Sequence, residues 1–257
     1  MSQSSRAEYD KIAHLYDSHP FRLKSPDREL LLFTRESARR RAIHVLDIAC
    51  GTGNQLVANR DVTPEARLVG LDASFGMLCQ ARAKAARDIS WVAGDAAALP
   101  FGSGSFDFIG CQFAFHHFPD KVGMLGEACR LLRSRERFVL HNMCPEECQD
   151  WIYYEYFPAA RAADAKDFWP VVRLIAIMKE VGFLSVKAEY EHIRTKRDLS
   201  NWYPRLLCRH ICSQLQAISD AEYEAGLRRL KAELVDPDTL QVRDDHLCLV
   251  TIRGERP

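Results

Sequence analysis

Short apolar runs alternate with amphipathic segments through the first half of the chain. The runs are rich in β-branched and large apolar side chains, which is typical of strands buried on both faces of a sheet. The segments between them place apolar residues at three- and four-residue steps, which predicts helices. Strands and helices that alternate in this way predict an α/β fold with parallel strands. The five predicted strands are residues 43–49, 67–72, 89–95, 106–111 and 137–141.

The two ends of the chain show a different pattern. Residues 6–40 are amphipathic and predict helices, the second of them capped by Ser25. After residue 144 the regular alternation stops, and an aromatic segment, 151–157, begins. Gly182 favours the end of a helix over residues 171–181. The remaining predicted elements are strands at 183–190 and 246–252 and a helical stretch over 198–235, which Pro204 interrupts early.

Composition narrows the class of protein. The 257 residues contain 35 Lys and Arg against 35 Asp and Glu, which argues against a nucleic-acid partner because such partners favour a basic excess. No apolar run approaches the roughly 20 residues of a membrane helix, and the N-terminal residues do not resemble a secretory signal. Nine cysteines, an odd number, are typical of reduced thiols. These features predict a cytoplasmic protein without a membrane span, and they leave the oligomeric state open.

A glycine-rich turn follows the first predicted strand. Gly51 and Gly53 allow the backbone to bend sharply and to approach a ligand closely. Asp47 lies just before this turn, and Asp72 and Asp95 end the second and third predicted strands. The carboxyl ends of parallel strands share one edge of the sheet, where ligands bind. An acid after the second strand suits a ribose diol and an acid near the turn suits an amine, so the pattern favours a cationic adenosine ligand without phosphates.

At these residues the chain resembles the class I methyltransferases that use S-adenosylmethionine, above all their small-molecule branch of ubiquinone and menaquinone methyltransferases. The resemblance covers roughly residues 9–142. It implies a Rossmann-like open sheet of seven mostly parallel strands, with helices on both faces and an antiparallel last strand beside the fifth. The matching motifs are residues 9–13, 16–17, 45–53, 70–74 with 77–78, 94–96 with 99–101 and 105–107, 116–118 and 127–133.

The resemblance implies roles around the methionine part of the cofactor. Gly51 and Gly53 would let the backbone pass it, and Asp47 would help to hold its ammonium, directly or through water. Cys111 and Gln112, which end the fourth strand, would bring a backbone carbonyl to the same ammonium. The aromatic residues expected to close over the methionine carboxylate are Tyr9 or Tyr16.

The resemblance also implies roles around the adenosine part. Asp72 would accept hydrogen bonds from the ribose hydroxyls, and Ala73 would lie beside the adenine. Asp95 would accept from the adenine amino group, with the amide of Ala96 at a ring nitrogen. The expected organisation is one domain, with an N-terminal helical cap (1–42), a cofactor-binding core (43–142), and helical insertions or a lid with the last two strands (143–257).

One feature departs from the family's pattern. A Pro-Gly-Gly turn usually follows the Leu-Arg pair before the fifth strand, whereas here Arg133 is followed by the charged segment 134–137. We expect this turn at the amino end of the strand, away from the ligand edge, so cofactor binding is not expected to suffer.

Methyl transfer mainly requires that the enzyme holds the methyl donor and the acceptor in position. A base is needed only when the acceptor must lose a proton. His116 and His117 follow the fourth strand near the expected transfer point and are the candidate catalytic residues, with His141 as a third candidate. The alternative for each is packing or contact with a lid. The segment 151–157 and the stretch around Trp202 are expected to form either a wall and lid for the acceptor or ordinary helix packing.

Alternatives to a small-molecule methyltransferase stay open from the residues alone. In the first alternative, the methyl acceptor is a tRNA or a protein. In the second, the chain is a non-catalytic module that binds the cofactor. In the third, paired cysteines bind a metalloid, and arsenic is the methyl acceptor. The bland interpretation of those cysteines is small buried or half-buried residues, and no resident metal is predicted. The two pairs are Cys144 with Cys148 and Cys208 with Cys212.

Overall fold

A computed structural model describes residues 9–18, 22–36, 42–84, 88–236 and 238–257. Its helices and strands alternate from residue 44 to residue 143, except that a loop without a helix joins the third strand to the fourth. The strands are β1 (His44–Ile48), β2 (Arg67–Asp72), β3 (Ile89–Ala93), β4 (Phe106–Gln112), β5 (Leu132–Met143), β6 (Leu184–Asp198) and β7 (Val242–Glu255). The helices are α1 (Tyr9–Tyr16), α2 (Arg28–Glu36), α3 (Asn54–Arg60), α4 (Phe75–Ala83), α5 (Lys121–Leu131), α6 (Ile152–Tyr156), α7 (Pro158–Asp167), α8 (Val171–Glu180), α9 (Leu199–Leu206), α10 (Ser213–Gln216) and α11 (Asp220–Val235).

The described residues fall into two compact units. The core unit contains Tyr9–Asn142, Val171–Glu189 and Thr251–Pro257. The helical unit contains Met143–Pro170 and Tyr190–Val250. Every residue that the resemblance assigns to cofactor binding lies in the core unit.

The seven strands pair in the order β3-β2-β1-β4-β5-β7-β6. The first five run parallel, with β1 between β2 and β4. β7 is antiparallel to β5: as residue numbers rise along β5, the numbers of their hydrogen-bonded partners in and beside β7 fall. In the core unit Arg135 N–H donates to Arg256 O, and in the helical unit Cys144 N–H donates to Cys248 O. The predicted Rossmann-like sheet with an antiparallel last strand is therefore confirmed.

The central strand β1 is buried, and the backbone is strained just beyond the carboxyl ends of β1 and β4. Val45, Leu46 and Ile48 of β1 are buried, as a central strand requires. Beyond the carboxyl ends of β1 and β4 the backbone enters the left-handed region at two residues that carry a Cβ, with φ of 59° at Ala49 and 53° at Phe113. Such strained residues cluster at binding sites. They flank the point where the strand order reverses, which is where open α/β sheets bind ligands.

Two local predictions were wrong. Ser25 does not cap α2, because Oδ1 of Asp27 accepts the backbone N–H groups of Glu29 and Leu30 at 2.8 and 3.3 Å. Pro204 lies inside α9 and does not interrupt it; the helix continues to Leu206. A proline so near the helix end removes only one backbone hydrogen bond, so the short helix tolerates it.

The charged segment after Arg133 is not a free turn. β5 already begins at Leu132, and its pairing with β4 shifts register between Phe106 and Phe108. Arg133 forms an ion pair of 2.5 Å with Asp107, whose side chain is fully buried. A β-bulge and a buried ion pair therefore stand where the family places a glycine turn.

The helical unit has an aromatic core of its own. The rings of Trp151 and Tyr153 stack with centroids 4.6 Å apart, and Trp202 packs edge-on against Tyr153 at 5.1 Å. All three side chains are buried. Burial of this kind favours packing over an open wall for these particular rings. No helix within the described ranges is long and apolar enough to cross a membrane.

Candidate functional site

The glycine turn and the end of β2 are joined by one carboxylate. Asp72 accepts the N–H of Gly51 at 2.7 Å through Oδ2 and the N–H of Ser74 at 2.8 Å through Oδ1. Ser74 also caps α4 by accepting the N–H of Met77. An ionised carboxylate has about four acceptor positions. The backbone N–H groups therefore do not occupy all of them, and the carboxylate can still accept from a ligand hydroxyl group.

Gly51 and Gly53 differ in what surrounds them. Both have positive φ, 56° and 76°. A Cβ at Gly51 would meet no atom within 4 Å, so this glycine borders open space. A Cβ at Gly53 would lie 2.3 Å from the indole of Trp91, so this glycine makes room for a neighbouring side chain. The sequence did not reveal the role of Trp91, because the contact joins the turn to β3.

Asp47 is a buried acid near the same turn. Burial, followed by the negative charge of Asp27, raises the pKa of Asp47 to about 8. Burial also raises the pKa of Asp72 and of Asp27. The negative charges of Asp27 and Asp72 both add to the effect of burial at Asp47, so a bound cation would stabilise the charged form of this acid.

Asp27 is a site residue that sequence reasoning missed. It caps α2 through Oδ1, and its Oδ2 accepts a 2.8 Å hydrogen bond from the side-chain amide of Gln112 at the end of β4. Its own N–H donates to Asn59 Oδ1. An Asp three residues before Leu30 at the start of an apolar run is a recognisable helix cap. The contact with Gln112 spans 85 positions in the chain and has no local signal.

Helix α1 is attached to this edge of the sheet by polar contacts. Asp10 Oδ1 accepts from the Ser74 hydroxyl and the Gly76 N–H, both at 2.7 Å. Asp17 accepts from the Thr52 hydroxyl at 2.7 Å, and an ion pair of the same length joins it to Lys84. The turn after β1 is therefore covered by the N-terminal segment.

The two tyrosines of α1 have different partners. A hydrogen bond of 2.7 Å joins the Tyr9 hydroxyl and Nε2 of His117. The ring of Tyr16 lies under the guanidinium of Arg22 at 4.0 Å, and burial raises the pKa of Tyr16. The two rings meet edge-on, with centroids 6.2 Å apart. Both predicted residues therefore lie together beside the turn that follows β4.

The residues predicted for the adenine side lie beyond β2 and β3. Ala73 is exposed, and Ala96 is buried. Asp95 is exposed two residues beyond β3, and its Oδ1 accepts the N–H of Ala97 at 2.9 Å. Its second carboxylate oxygen remains for a ligand within the described contacts.

The histidines lie beyond β4 and β5. His116 is buried, and burial holds its pKa well below the usual range, with the neighbouring His117 and Lys121 adding to the effect. The rings of His116 and His117 are 3.8 Å apart. His141 contacts Thr251 Oγ1 through Nδ1 at 2.9 Å, and burial lowers its pKa to about 4. His116 and His117 lie in the turn that follows β4, and His141 packs edge-on against Phe113 of the same turn, with ring centroids 4.9 Å apart. Cys111 is fully buried in β4.

Several motif residues have structural tasks. Oε2 of Glu127 accepts the N–H of Leu99 at 2.9 Å, and Arg130 pairs with Glu127 at 2.6 Å. Arg130 also donates to the carbonyl of Phe101 at 2.9 Å. These contacts fasten the loop after β3 to α5, so this part of the resemblance concerns the fold and not the ligand.

The cysteine pairs do not form a metal site. Cys144 and Cys148 are buried, and burial raises the pKa of each thiol to about 12, which keeps both protonated at neutral pH. Soft metals and metalloids bind the thiolate. Within the described residues, no group of three or more His, Cys, Asp or Glu side chains could hold a metal ion. These observations disfavour the metalloid alternative.

Comparisons with known proteins agree with this geometry. Residues 45–135 match the family model of a methyltransferase domain. The demethylmenaquinone methyltransferase of Thermus thermophilus is 38% identical over 104 residues, which cover 39% of this chain and 47% of that protein.

Two solved structures share the fold. A candidate methyltransferase from an antibiotic biosynthesis pathway of Anabaena variabilis has a TM-score of 0.69 at 21% identity, over 87% of this chain and 96% of that one. Phosphoethanolamine N-methyltransferase 2 of Haemonchus contortus, solved with S-adenosylhomocysteine, has a TM-score of 0.60 at 18% identity, over 96% of this chain and 57% of that one.

The curated relatives match over part of their length. The chain spans about half the length of the curated relatives that it matches. The domain match and the relatives confirm the predicted resemblance to S-adenosylmethionine-dependent methyltransferases. The two structures, each under 25% identical, establish the fold.

Proposed function

We propose that the chain is an S-adenosylmethionine-dependent methyltransferase that acts on a small molecule. The observation that carries the proposal is the site around Gly51. This glycine borders open space, its N–H donates to Asp72, and the buried acid Asp47 lies near the same turn. The methyltransferase-domain match over residues 45–135 supports the same activity.

The residues present fit the chemistry of this cofactor, which supplies a methyl group on a positively charged sulfur. Asp47 and the carbonyls of Cys111 and Gln112 would hold the ammonium of its methionine part. Raised pKa values at Asp47 and Asp72 fit a ligand that brings positive charge and no phosphate. Gly51 would let the backbone approach, and Gly53 would keep Trp91 packed beneath the turn.

The adenosine part would bind along the ends of β2 and β3. Asp72 would accept from the ribose hydroxyls, and Asp95 would accept from the adenine amino group. Ala73 and the N–H of Ala96 would border the ring. Tyr9 and Tyr16 would close the methionine end.

His117 is the better candidate for a base where the acceptor must lose a proton. It is partly exposed and hydrogen bonded to Tyr9, whereas His116 is buried and packs against it. His141 is neutral at pH 7, because burial lowers its pKa to about 4, and would serve as a contact for the acceptor.

A small-molecule acceptor is favoured over RNA or protein. Equal numbers of acidic and basic residues provide no excess of positive charge for a nucleic acid. The Thermus relative is named as a demethylmenaquinone methyltransferase, which supports an acceptor that is neither RNA nor protein. All nine cysteines are free, which fits a cytoplasmic location.

Calorimetric titration with S-adenosylmethionine and S-adenosylhomocysteine tests the proposal. We expect both to bind, and Asp72→Asn to weaken binding by roughly tenfold or more because one strong acceptor is lost. Asp61→Asn, at an exposed residue that ends α3, is the matched control. Absence of binding by the unmodified chain would refute the proposal.

The acceptor class needs a separate experiment. Release of S-adenosylhomocysteine is measured with pools of small metabolites, with tRNA and with protein extract. Turnover with metabolites alone supports the small-molecule assignment. Turnover that disappears after ribonuclease or protease treatment would replace it with a macromolecular acceptor.

A further inference from the structure

Two histidines of the helical unit face each other across its two strands. Nδ1 of His192 in β6 lies 3.0 Å from Nε2 of His246 in β7, and the rings stack with centroids 5.2 Å apart. His192 is exposed, and His246 is partly exposed. A hydrogen bond between two ring nitrogens requires at least one neutral ring, because an imidazolium ring has no acceptor nitrogen. The pair therefore presents an unprotonated ring nitrogen at the surface, and neither histidine is assigned to cofactor binding.

The spacing of the two nitrogens suits a shared metal ion. Imidazole nitrogens bind divalent transition metals at about 2.0–2.1 Å. Two nitrogens 3.0 Å apart then subtend an angle of about 90–100° at the ion. Neighbouring ligands make this angle in the square-planar or tetragonal sites of Cu²⁺ and Ni²⁺, whereas the tetrahedral angle of zinc sites is wider. The same two atoms can therefore share either a hydrogen or an ion of this class.

Acidic side chains lie on one side of the pair. Tyr190 precedes His192 by two residues, so the two side chains leave β6 on the same face. Partial burial raises the pKa of Tyr190, and the negative charges of Glu146 and Glu147 add to the effect. Both glutamates are exposed. Their charges reach the same face of the strand and favour a cation there.

Two basic side chains lie on the other side. Lys196 is paired with Asp244 of β7 at 2.9 Å, so its charge is largely offset. Arg194 is exposed, and water and salt screen its charge. The basic residues of β6 therefore oppose a cation at the pair only weakly.

We propose that His192 and His246 bind one divalent ion of square-planar or tetragonal preference, Cu²⁺ or Ni²⁺, at the surface of the helical unit. Among the described residues, no third His, Cys, Asp or Glu joins them in a metal-binding group, so water completes the coordination. The ion takes the place of the hydrogen between the rings, and the ring that carried it keeps a hydrogen on its other nitrogen. Such an ion ties β6 to β7 and stabilises the folded state by mass action. The proposal does not depend on methyltransferase activity.

The affinity is tested with Ni²⁺, which thiols do not reduce as they reduce Cu²⁺. Cys79 and Cys208, which are exposed, are replaced by Ser in every protein compared, so that their thiols do not compete for the ion. Calorimetric titration of the metal-free, full-length chain with nickel chloride gives the affinity and the stoichiometry. His192→Gln and His246→Gln each remove one ligand, and His210→Gln, at a partly exposed residue of the same unit, is the control for loss of a histidine.

We expect one Ni²⁺ per chain at this site and a loss of affinity of roughly tenfold or more in each single variant, because one of the two protein ligands is gone. The double variant should lose little more than either single variant, since one histidine alone does not chelate the ion. Ni²⁺ should raise the urea midpoint of the protein that keeps both histidines and of the His210→Gln control, but not the midpoints of the other variants.

Electron paramagnetic resonance of bound Cu²⁺ identifies the ligands without relying on affinity. The signal should show two coordinated nitrogens in the protein that keeps both histidines and at most one in each single variant. This measurement on the intact pair decides the question even where a variant folds poorly, which its urea midpoint without metal reveals.

Two outcomes would overturn the assignment. Equal Ni²⁺ affinities of the His192→Gln, His246→Gln and His210→Gln proteins would place the ion elsewhere on the chain. Absence of binding at Ni²⁺ concentrations up to about 1 mM would mean that the two rings share only a hydrogen.

Discussion

The hydroxyl of Tyr9 lies 2.7 Å from Nε2 of His117, so a residue of the first helix is hydrogen bonded to the turn that follows β4. Their rings also meet edge-on, with centroids 5.4 Å apart. Asp10 and Asp17 attach the same helix and its end to α4 and to the glycine turn. Helix α1 is therefore part of the candidate site and is held there by side-chain hydrogen bonds.

We expect Tyr9→Phe to lower the free energy of unfolding by about 1 kcal/mol, because one partly buried hydrogen bond is lost while the ring contact stays. Amide hydrogen exchange of α1 should become faster, since the helix loses one of its attachments. Tyr16→Phe is the control; the Tyr16 hydroxyl has no hydrogen bond among the described residues. Equal exchange in the two variants would contradict a specific role for the Tyr9–His117 contact.

Asp47 makes stability depend on pH. The pKa of Asp47 in the folded chain, about 8, is above the usual value for an aspartate. Between about pH 4 and pH 8 the folded chain therefore keeps a proton on Asp47 that the unfolded chain has already lost. Stability should therefore fall as pH rises through this window, by up to about 1.4 kcal/mol per pH unit from this group. Asp47→Asn should remove that component and be the more stable protein at pH 8.5.

The measurement is urea unfolding of both proteins from pH 5 to pH 9. The difference between them isolates Asp47, since other acids with raised pKa values are common to both. A cationic ligand should bind more tightly as pH rises toward 8 and should release a proton, which calorimetry in two buffers detects. A difference that stays constant with pH would exclude a raised pKa at Asp47.

The sheet and the position of the site could be predicted because their signals are local. Apolar runs mark β1 and β2, the glycine turn marks the end of β1, and Asp72 closes the second run. An acid at the carboxyl end of a parallel strand lies at the ligand-binding edge of the sheet, because all parallel strands end at that edge.

The remainder of the site depends on contacts between distant segments. Asp27 accepts a hydrogen bond from Gln112, and Lys24 lies over the ring of Phe113. The two residues of each pair are separated along the chain by more than half the length of the core unit's first segment. Neither pair has a spacing that a periodic pattern could reveal. The β5 bulge was missed for the same reason, because the buried partner of Arg133 is Asp107 on a neighbouring strand.

Gly51 and Gly53 should respond differently to the same substitution. Gly53→Ala puts a Cβ 2.3 Å from the Trp91 ring at positive φ, so we expect a loss of about 2–4 kcal/mol of stability from strain and overpacking. Gly51→Ala meets no atom, so only about 1–2 kcal/mol of backbone strain is expected. Ligand affinity should nevertheless fall more in Gly51→Ala, because its new methyl group borders the open side of the turn.

A double variant identifies the cause at Gly53. Replacing Trp91 with Leu in the Gly53→Ala background should recover part of the lost stability, with a coupling energy of about 1–3 kcal/mol. Urea unfolding of the two single variants and the double variant gives this energy. Strict additivity of the two substitutions would show that the Trp91 ring is not what opposes a side chain at Gly53.

Cys148 is expected to stabilise the helical unit through its thiol. Its Sγ accepts the N–H of Cys248 at 3.1 Å and donates to the carbonyl of Cys144 at 3.1 Å, so the thiol bridges the residue after β5 and the middle of β7. Cys148→Ala leaves a buried N–H and carbonyl without this bridge, which should cost about 1–3 kcal/mol in urea unfolding. Cys148→Ser retains a donor and an acceptor and should recover part of the loss, whereas Cys208→Ala, at an exposed residue, should change little. Equal stabilities of the Cys148→Ala and Cys208→Ala proteins would mean that the two strands are held without the sulfur.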